Sequence, residues 1–207
     1  MHSQTSPTKD SRIMQKLTRD DLYSLEQYAE MRPAFRAEVM EHKKNRQLAI
    51  GPNVTLYFED RIVMHYQVQE ILRAERVFEA EGIEEELETY NSMIPDGSNW
   101  KATFMIEIAE EAERREALSN MIGIEAQVWV KVDGFDEVIP VSDEDLERDN
   151  ENKTSSVHFM RFEFNSEMIA ALKHGSRLSA GIHHPAYEYT IDPVPQHIRD
   201  SLVSDLD

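Results

Sequence analysis

A change in hydrophobic periodicity at Trp100 divides this chain into two halves with different expected secondary structure. Before Trp100 the apolar residues recur at the helical spacing of about 3.6 residues. After it they alternate, as Phe104, Ile106 and Ile108 do. The pattern predicts an α+β fold, with a helical N-terminal half packed on an antiparallel sheet formed mainly by the C-terminal half.

The chain has 207 residues, which is enough for one domain with its own core. Residues 1–15 are polar and lack an apolar pattern, so we expect a disordered tail there. Residues 16–207 are predicted to form a single α+β domain, with a helical lobe over 16–99 and a sheet-rich lobe over 100–207.

The stretch 58–78 has helical periodicity and two apolar sectors on opposite sides. Only a narrow strip is polar, with Gln69 among its residues, so a helix covered on most sides is expected. Three carboxylates fall in the apolar sectors: Glu59, Glu70 and Glu75. Because a buried carboxylate is costly unless it is paired, protonated or bound to a cation, these three are the first candidates for chemistry.

Three local signals shape the expected elements around this helix. Pro33 predicts a kink or a break near Arg32. The basic run at 42–46 suits a helix C-terminus and equally an anion or acidic-partner site. Asp133 and Gly134 predict the turn of a β-hairpin.

Charge and composition exclude several function classes. The formal net charge of −18 argues against nucleic acid or an anionic membrane as the main partner. The chain has no cysteine, which excludes disulfides, thiolate zinc sites, cysteine nucleophiles and self-ligated iron–sulfur clusters. Neither an apolar signal region nor an apolar run of membrane-spanning length is present, so a cytoplasmic location is expected.

Sequence motifs of nucleotide-binding and hydrolase folds are missing, and so are the Glu-x-x-His and His-Glu-x-x-His spacings of metal sites. A metal site would therefore have to be assembled by the fold. Its candidate ligands are acids and histidines from separate segments, namely Glu70, Glu75, Glu107, His158 and His184. Imidazole and carboxylate together suit iron, manganese or zinc. Each histidine is equally consistent with a hydrogen-bonded core or edge residue, and Glu75 with an ion pair to Arg161.

The chain resembles a family of uncharacterised bacterial proteins of about this length, known only as a domain of unknown function. The resemblance extends over residues 16–206 and is strongest at 16–22, 68–76, 90–97, 102–107, 157–162 and 184–187. Members of that family are typically encoded beside rubrerythrin-like proteins and iron–sulfur oxidoreductases. The resemblance implies a role near peroxide or electron-transfer chemistry, with such a protein as partner.

The resemblance also indicates which positions belong to the family pattern: Glu70, Glu75, Tyr90, Glu107, His158, Arg161 and His184. Tyr90 and Arg161 are the candidate catalytic residues, Tyr90 as a proton or electron relay. His183 departs from the pattern, in which an aspartate is expected before the His-Pro pair.

Three functions remain open. The first is a redox-associated protein that holds a non-haem metal through His158, His184 and the helix carboxylates. The second is a non-catalytic adaptor or accessory subunit of an iron–sulfur oxidoreductase, whose buried acids pair with arginines. The third is a small-molecule enzyme that uses Glu70 or Glu75 as a general base with a raised pKa. A homodimer is the expected oligomeric state by frequency.

Overall fold

The computed structural model describes residues 15–144, 148 and 152–207. The predicted disordered tail, apart from Gln15, lies outside the described residues, as does part of the acidic loop at 142–152. The first helical element within the described residues is a short 3-10 helix, Arg19–Asp21, which Thr18 and Asp21 close as a capping box.

The helices of the described part of the chain lie mostly in its N-terminal half, as predicted. They are α1 (Leu25–Lys43), α2 (Arg61–Glu75), α3 (Ala80–Asn91), α4 (Glu111–Asn120), α5 (Ser166–Lys173) and α6 (Gln196–Val203). None of the helices in the described ranges has the length and apolarity needed to cross a membrane.

The strands form two antiparallel sheets, which confirms the predicted α+β class. They are β1 (Gln47–Ala49), β2 (Val54–Glu59), β3 (Asn99–Ile106), β4 (Val128–Val132), β5 (Glu137–Val138), β6 (Val141–Ser142), β7 (Val157–Glu163), β8 (Leu178–His184) and β9 (Tyr187–Ile191). Sheet 1 has the order β1-β2-β3-β7-β6, and sheet 2 the order β5-β4-β8-β9. Two strands of sheet 1, β1 and β2, come from the helical half of the sequence.

The expected break at Pro33 is wrong, because α1 continues through this residue. Proline removes one helical hydrogen bond and leaves the carbonyl of Ala29 without its donor. Pro33 and Ala29 both lie on the exposed side of α1, where water satisfies such a carbonyl. The opposite side of α1 buries Tyr28 and Val39, and this packing holds the helix together.

The two sheets are joined by the segment around Pro140. The predicted hairpin at Asp133 and Gly134 forms, with Lys131 paired to Glu137. Proline cannot donate to a strand ladder, and β5 ends before Pro140. Val141 then pairs with Arg161 of β7, so the chain passes from sheet 2 to sheet 1 within a few residues.

Tyr187 fixes the β1–β2 hairpin of sheet 1 to sheet 2. Its hydroxyl donates to the carbonyl oxygen of Ile50 at 2.7 Å and accepts from the backbone N–H of Asn53 at 3.0 Å. Gly51 in this turn has φ +73°, and a Cβ built on it would lie 2.6 Å from the Tyr187 hydroxyl oxygen. Glycine is required here both by the backbone conformation and by the close approach.

Burial alternates along β2, β3 and β7, so sheet 1 has a fully buried face and a half-buried one. The buried face, which includes Phe58, Phe104 and Phe162, joins sheet 2 and α6 in the main core. A separate apolar cluster is formed by α2, α3 and the segment at Leu17. The half-buried face of sheet 1 therefore faces α2 and α3, but the sheet face and the two helices do not share a close-packed apolar core.

The predicted central helix is shorter than expected and less evenly covered. Glu59 belongs to β2, and Asp60 caps the N-terminus of α2 by accepting from the Val63 N–H. Glu75 is exposed and Phe78 is 65% exposed, which contradicts the predicted apolar sector at this end. Gln69, predicted in the polar strip, is fully buried, and its amide oxygen accepts from the Tyr23 N–H.

Candidate ligand-binding cavity

A cavity of about 610 Å³ lies between the half-buried face of sheet 1 and helices α2 and α3. Strands β2, β3 and β7 provide one wall, and α2 with the C-terminal end of α3 provides the other. Pockets for small molecules have volumes of roughly 300–1,000 Å³. The space left between the two apolar cores is therefore large enough for a ligand.

The sheet wall carries a row of ionisable side chains. Lys101 on β3 is paired in register with Glu59 on β2 and with Arg161 on β7. Residues directly opposite one another in an antiparallel sheet share a face, with Cβ atoms about 4.5–5.5 Å apart. Lys101 therefore has a carboxylate on one side and a second cation on the other. Like charges directly opposite each other destabilise a sheet, so this row is not explained by folding.

The positive charge of Arg161 is paired with carboxylates, whereas the ammonium group of Lys101 has no such ion pair among the described residues. The Arg161 guanidinium donates to both oxygens of Glu144, at 2.9 and 2.8 Å, and also to Glu163. Across residues 15–144, 148 and 152–207, the Lys101 ammonium group makes neither a hydrogen bond nor an ion pair. Burial, followed by the positive charge of Arg161, lowers the pKa of Lys101.

Glu59 has its pKa shifted the other way. Burial raises the pKa of its carboxyl group, although a hydrogen bond from Thr103 and the positive charge of Lys43 oppose the shift. The Thr103 hydroxyl donates to Glu59 Oε1 at 2.7 Å. A carboxyl and an amine whose pKa values are moved toward neutrality, facing one cavity, are typical of a functional site.

The helix wall of the cavity is largely apolar. Val63 and Met64 of α2 and Met93 after α3 line it, and Phe159 closes the sheet side. Tyr90 also lines this wall, to which it contributes an aromatic ring and a polar hydroxyl group. Flexible methionine side chains adapt to ligands of varied shape. The cavity thus combines a sheet wall of mixed charge, with Lys101 and Arg161 beside Glu59 and Glu144, and a more apolar helix wall.

A buried network of ion pairs contacts the backbone of the cavity residue Glu59. Arg46 is 2% exposed, and its Nη2 lies 2.5 Å from Asp205 Oδ2 while its Nε lies 3.2 Å from Asp60 Oδ2. His42 Nε2 lies 2.5 Å from the same Asp60 oxygen. Arg46 Nη2 also donates to the carbonyl oxygen of Glu59 at 3.0 Å. Two members of the basic run predicted at 42–46 therefore bind internal carboxylates, while a third, Lys43, lines the cavity.

Of the candidate catalytic residues, Tyr90 and Arg161 both line this cavity, from opposite walls. The predicted pairing of Glu75 with Arg161 does not occur, because Arg161 binds Glu144 and Glu163 and Glu75 is exposed at the end of α2. Arg73 and Arg76, the arginines close to Glu75 in sequence, are also exposed.

The five predicted metal ligands lie in separate surroundings. Glu107 accepts from the Tyr57 hydroxyl at 2.9 Å. His158 is fully buried, with Nδ1 2.6 Å from Asp143 and Nε2 2.8 Å from the Thr154 hydroxyl oxygen. His184 Nδ1 accepts from the Ala186 N–H at 3.1 Å. Within the described ranges no group of three or more His, Asp and Glu side chains is arranged to hold a metal ion, so the metal site stays a prediction.

Glu70 is an ion-paired residue and its properties are opposite to those expected of a general base. Its carboxylate accepts from Arg32 Nε at 2.7 Å, from Arg32 Nη2 at 2.8 Å and from the Tyr28 hydroxyl at 2.6 Å. The hydrogen bonds from Arg32 lower the pKa of Glu70 to about 2. The prediction of a raised pKa at this residue is wrong because helical periodicity does not reveal partners on α1.

We expect Glu70→Gln to lower the free energy of unfolding by about 1 kcal/mol at pH 7, the value for a half-exposed bidentate pair. Because the pKa of Glu70 is lower in the folded protein than in the unfolded one, its ionised form stabilises the fold at pH values above the ordinary carboxyl pKa. This contribution is lost as the pH falls toward 2. Urea unfolding at several pH values should show the wild-type advantage shrinking below about pH 5. Glu75→Gln is the matched control, and an equal deficit for Glu70→Gln at every pH would contradict the ion-pair assignment.

Sequence reasoning missed Lys101 and Thr103, included Lys43 only as a member of the basic run at 42–46, and did not place Glu59 in the site. A signal was present, because Lys101 interrupts a strand whose neighbours Trp100 and Ala102 are apolar. Alternation places Lys101 on the opposite face from those residues. Only the register of β3 against β2 and β7 shows that Glu59 and Arg161 flank it.

The comparisons with known proteins agree over almost the whole chain. The sequence model of the family described as "Protein of unknown function (DUF3501)" matches residues 16–206. A crystal structure titled as a novel protein of unknown function from Burkholderia pseudomallei K96243 is similar in fold, with a TM-score of 0.88. The two sequences are 45% identical, and the match covers 93% of this chain and 100% of the other. No curated protein matches the sequence. The resemblance to an uncharacterised family is confirmed, and the implied association with rubrerythrin-like proteins stays a prediction.

Proposed function

Because this chain belongs to the DUF3501 family, whose description assigns no activity, we propose a function on the basis of the cavity itself. The protein binds a small amphipathic organic anion between sheet 1 and helices α2 and α3. Lys101, with Lys43 and Arg161, attracts the anionic group, and the methionine-containing wall takes the apolar part. The observation that carries the proposal is the partnerless ammonium group of Lys101 beside Arg161, within the described ranges.

Electrostatics favour an anion over a cation or a neutral ligand. The chain as a whole carries a formal charge of −18, yet three cations, Lys43, Lys101 and Arg161, line this concave surface against two acids, Glu59 and Glu144. A half-buried amine without a partner loses part of its hydration, and an anionic ligand would compensate for that loss. A carboxylate or phosphate with a hydrocarbon or aromatic body would match both walls.

The redox-associated, metal-holding and adaptor functions rest on the family resemblance and on the helix acids. They stay predictions, and the cavity proposal does not depend on them. Glu59 is the member of the original three carboxylates that faces the cavity, so it replaces Glu70 and Glu75 as the candidate acid or base.

Two fluorescent dyes with the same aromatic body test the proposal. The first, 8-anilinonaphthalene-1-sulfonate, is an anion, and N-phenyl-1-naphthylamine lacks the sulfonate. Since a charge-assisted hydrogen bond contributes about 1.5–3 kcal/mol, Lys101→Met should weaken binding of the sulfonate dye about tenfold or more. Binding of the neutral dye should change by about twofold or less. Fluorescence titration at fixed salt gives both dissociation constants.

Lys131→Met is the matched control, because Lys131 lies on β4 of sheet 2, away from the cavity. This variant should bind both dyes as the wild type does. Equal weakening of the two dyes by Lys101→Met, or equal weakening of the sulfonate dye by Lys131→Met, would count against an anion site at Lys101.

A further inference from the structure

We propose that Lys101 is a nucleophilic lysine that forms an imine with the carbonyl carbon of a small oxo acid held in the cavity. This inference rests on the proposed function, because it names the class of organic anion and what happens to it. The ligand would carry a carboxylate, a neighbouring ketone or aldehyde and an apolar body.

The position of Lys101 is the first support. It is the middle residue of the row across sheet 1, with Glu59 opposite it on β2 and Arg161 opposite it on β7. Strand β3 is held from both sides, so the amine is attached to a rigid element and not to a loop. In the described ranges its Nζ makes no hydrogen bond or ion pair, so its lone pair is not occupied by a neighbouring donor.

The second support is the state of the amine. Only a neutral amine attacks a carbonyl, and lysines are activated by burial in an apolar pocket or by a neighbouring cation. Lys101 has both, since burial and Arg161 lower its pKa. The acidic groups Glu144, Asp96 and Glu163 act in the opposite sense, but Glu144 and Glu163 are bound to Arg161. Each of these three acids affects Lys101 less than burial and Arg161 do, and the net shift of the Lys101 pKa is downward.

The third support is an acid at the right position for the dehydration step. Burial raises the pKa of the Glu59 carboxyl group, which shifts its equilibrium toward the protonated, proton-donating form. Glu59 shares a face with Lys101 and is oriented by the Thr103 hydroxyl at 2.7 Å. Tyr90 lies on the opposite wall and can bind the carbonyl oxygen.

The step balances without any further reactant. The Lys101 Nζ lone pair forms a C–N bond to the carbonyl carbon, and the C=O π electrons move to oxygen. One proton passes from Nζ to that oxygen and a second comes from Glu59, so the oxygen leaves as water. The product is a protonated imine beside the Glu59 carboxylate, with the positive charges of Lys43 and Arg161 available to the ligand carboxylate.

Reductive trapping tests the imine. The protein is incubated at neutral pH with 4-methyl-2-oxopentanoate and sodium cyanoborohydride, which reduces an imine to a stable secondary amine. Peptide mass mapping then locates lysines whose mass has increased by that of the oxo acid less one oxygen atom. We expect labelling of Lys101 at least about tenfold above that of the half-buried Lys131 or the exposed Lys173.

Four comparisons sharpen the test. Lys101→Arg should lose the specific label while keeping a cation in the row, and Lys131→Met, which changes a residue outside the cavity, should still be labelled at Lys101. Glu59→Gln should slow labelling because it removes the proton donor. The neutral ketone 4-methyl-2-pentanone, which lacks the carboxylate, should label Lys101 at least about tenfold less.

Equal labelling of all lysines, labelling concentrated at Lys43, or no label at Lys101 would overturn the inference. Displacement of 8-anilinonaphthalene-1-sulfonate by the oxo acid separates this failure from failure of the proposed function. Displacement without a label at Lys101 leaves the anion site standing and refutes the imine. Absence of both refutes the imine and counts against oxo acids as ligands.

Discussion

Replacing Arg46 with methionine is expected to lower the free energy of unfolding by about 3–5 kcal/mol, the cost of breaking a buried ion pair from one side. The guanidinium group of Arg46 bridges Asp205 and Asp60, which are 1% and 3% exposed. It also donates to the carbonyl oxygens of Phe58 and Glu59. Without it, two buried carboxylates and two strand carbonyls lose a donor at once. Urea unfolding monitored by tryptophan fluorescence gives the free energy.

Two controls connect this loss to the buried charges. Lys44→Met removes a neighbouring cation that is 68% exposed and, among the described residues, pairs with Glu41 alone, so its effect should stay within about 0.5 kcal/mol. Asp205→Asn in the Arg46→Met background should recover part of the stability, because it removes one unpaired charge.

The loss in free energy of unfolding caused by Arg46→Met should also depend on pH. Burial raises the pKa of Asp205 to about 6 even with Arg46 present. A raised carboxyl pKa means that the fold prefers the protonated acid, so lowering the pH from about 8 to 5 should reduce the deficit. A deficit that does not change over this range would show that lost packing, and not charge, dominates.

Trp100→Ala is expected to destabilise the protein by about 3–5 kcal/mol, as truncation of a fully buried aromatic residue does. Trp100 is 0% exposed, and its ring packs edge-on against Phe164 at a centroid distance of 4.4 Å. Its indole N–H donates to the carbonyl oxygen of Leu202 at 2.8 Å, which joins β3 to α6. The substitution would leave both a cavity and an unsatisfied carbonyl. Thermal and urea unfolding measure the loss.

Trp129 provides a matched control for the hydrogen bond. It is also buried, at 4% exposure, but its indole N–H has no partner in the part of the chain that the structure describes. Trp100→Phe should therefore cost about 1–3 kcal/mol more than Trp129→Phe, which is the penalty of an orphaned buried acceptor. Similar costs for the two substitutions would mean that the Leu202 contact contributes little.

Both residues support the cavity without lining it. Arg46 binds the backbone at Glu59, and Trp100 directly precedes Lys101 on β3. Conservative changes at these positions are expected to weaken dye binding only in proportion to the unfolded fraction. Lys101→Met, in contrast, should leave stability nearly unchanged, because it removes a half-buried cation that faces another cation.

Local sequence signals determined most of the secondary structure. Alternation after Trp100 predicted β3, and Asp133 and Gly134 predicted the hairpin turn. These features depend on neighbours within a few residues, so a sequence contains them directly. The α+β class follows from their order along the chain.

Contacts between residues distant in sequence determined the features that local signals did not. These contacts also corrected predictions that had been based on local pattern alone. A helical wheel placed Glu70 and Glu75 in apolar sectors, but α1 supplies Arg32 to the first and nothing covers the second within the described ranges. Pro33 predicted a break that packing of Tyr28 and Val39 prevents.

The candidate site depended most strongly on tertiary structure. Glu59, Lys101 and Arg161 are far apart in sequence, and only the pairing of β2, β3 and β7 sets them in one row. Alternation alone shows that each side chain points away from the core, but it does not show which strands are neighbours or in what register. The sequence therefore determined the elements and their buried faces, while strand order and register, which depend on contacts between distant segments, determined the cavity and its charges.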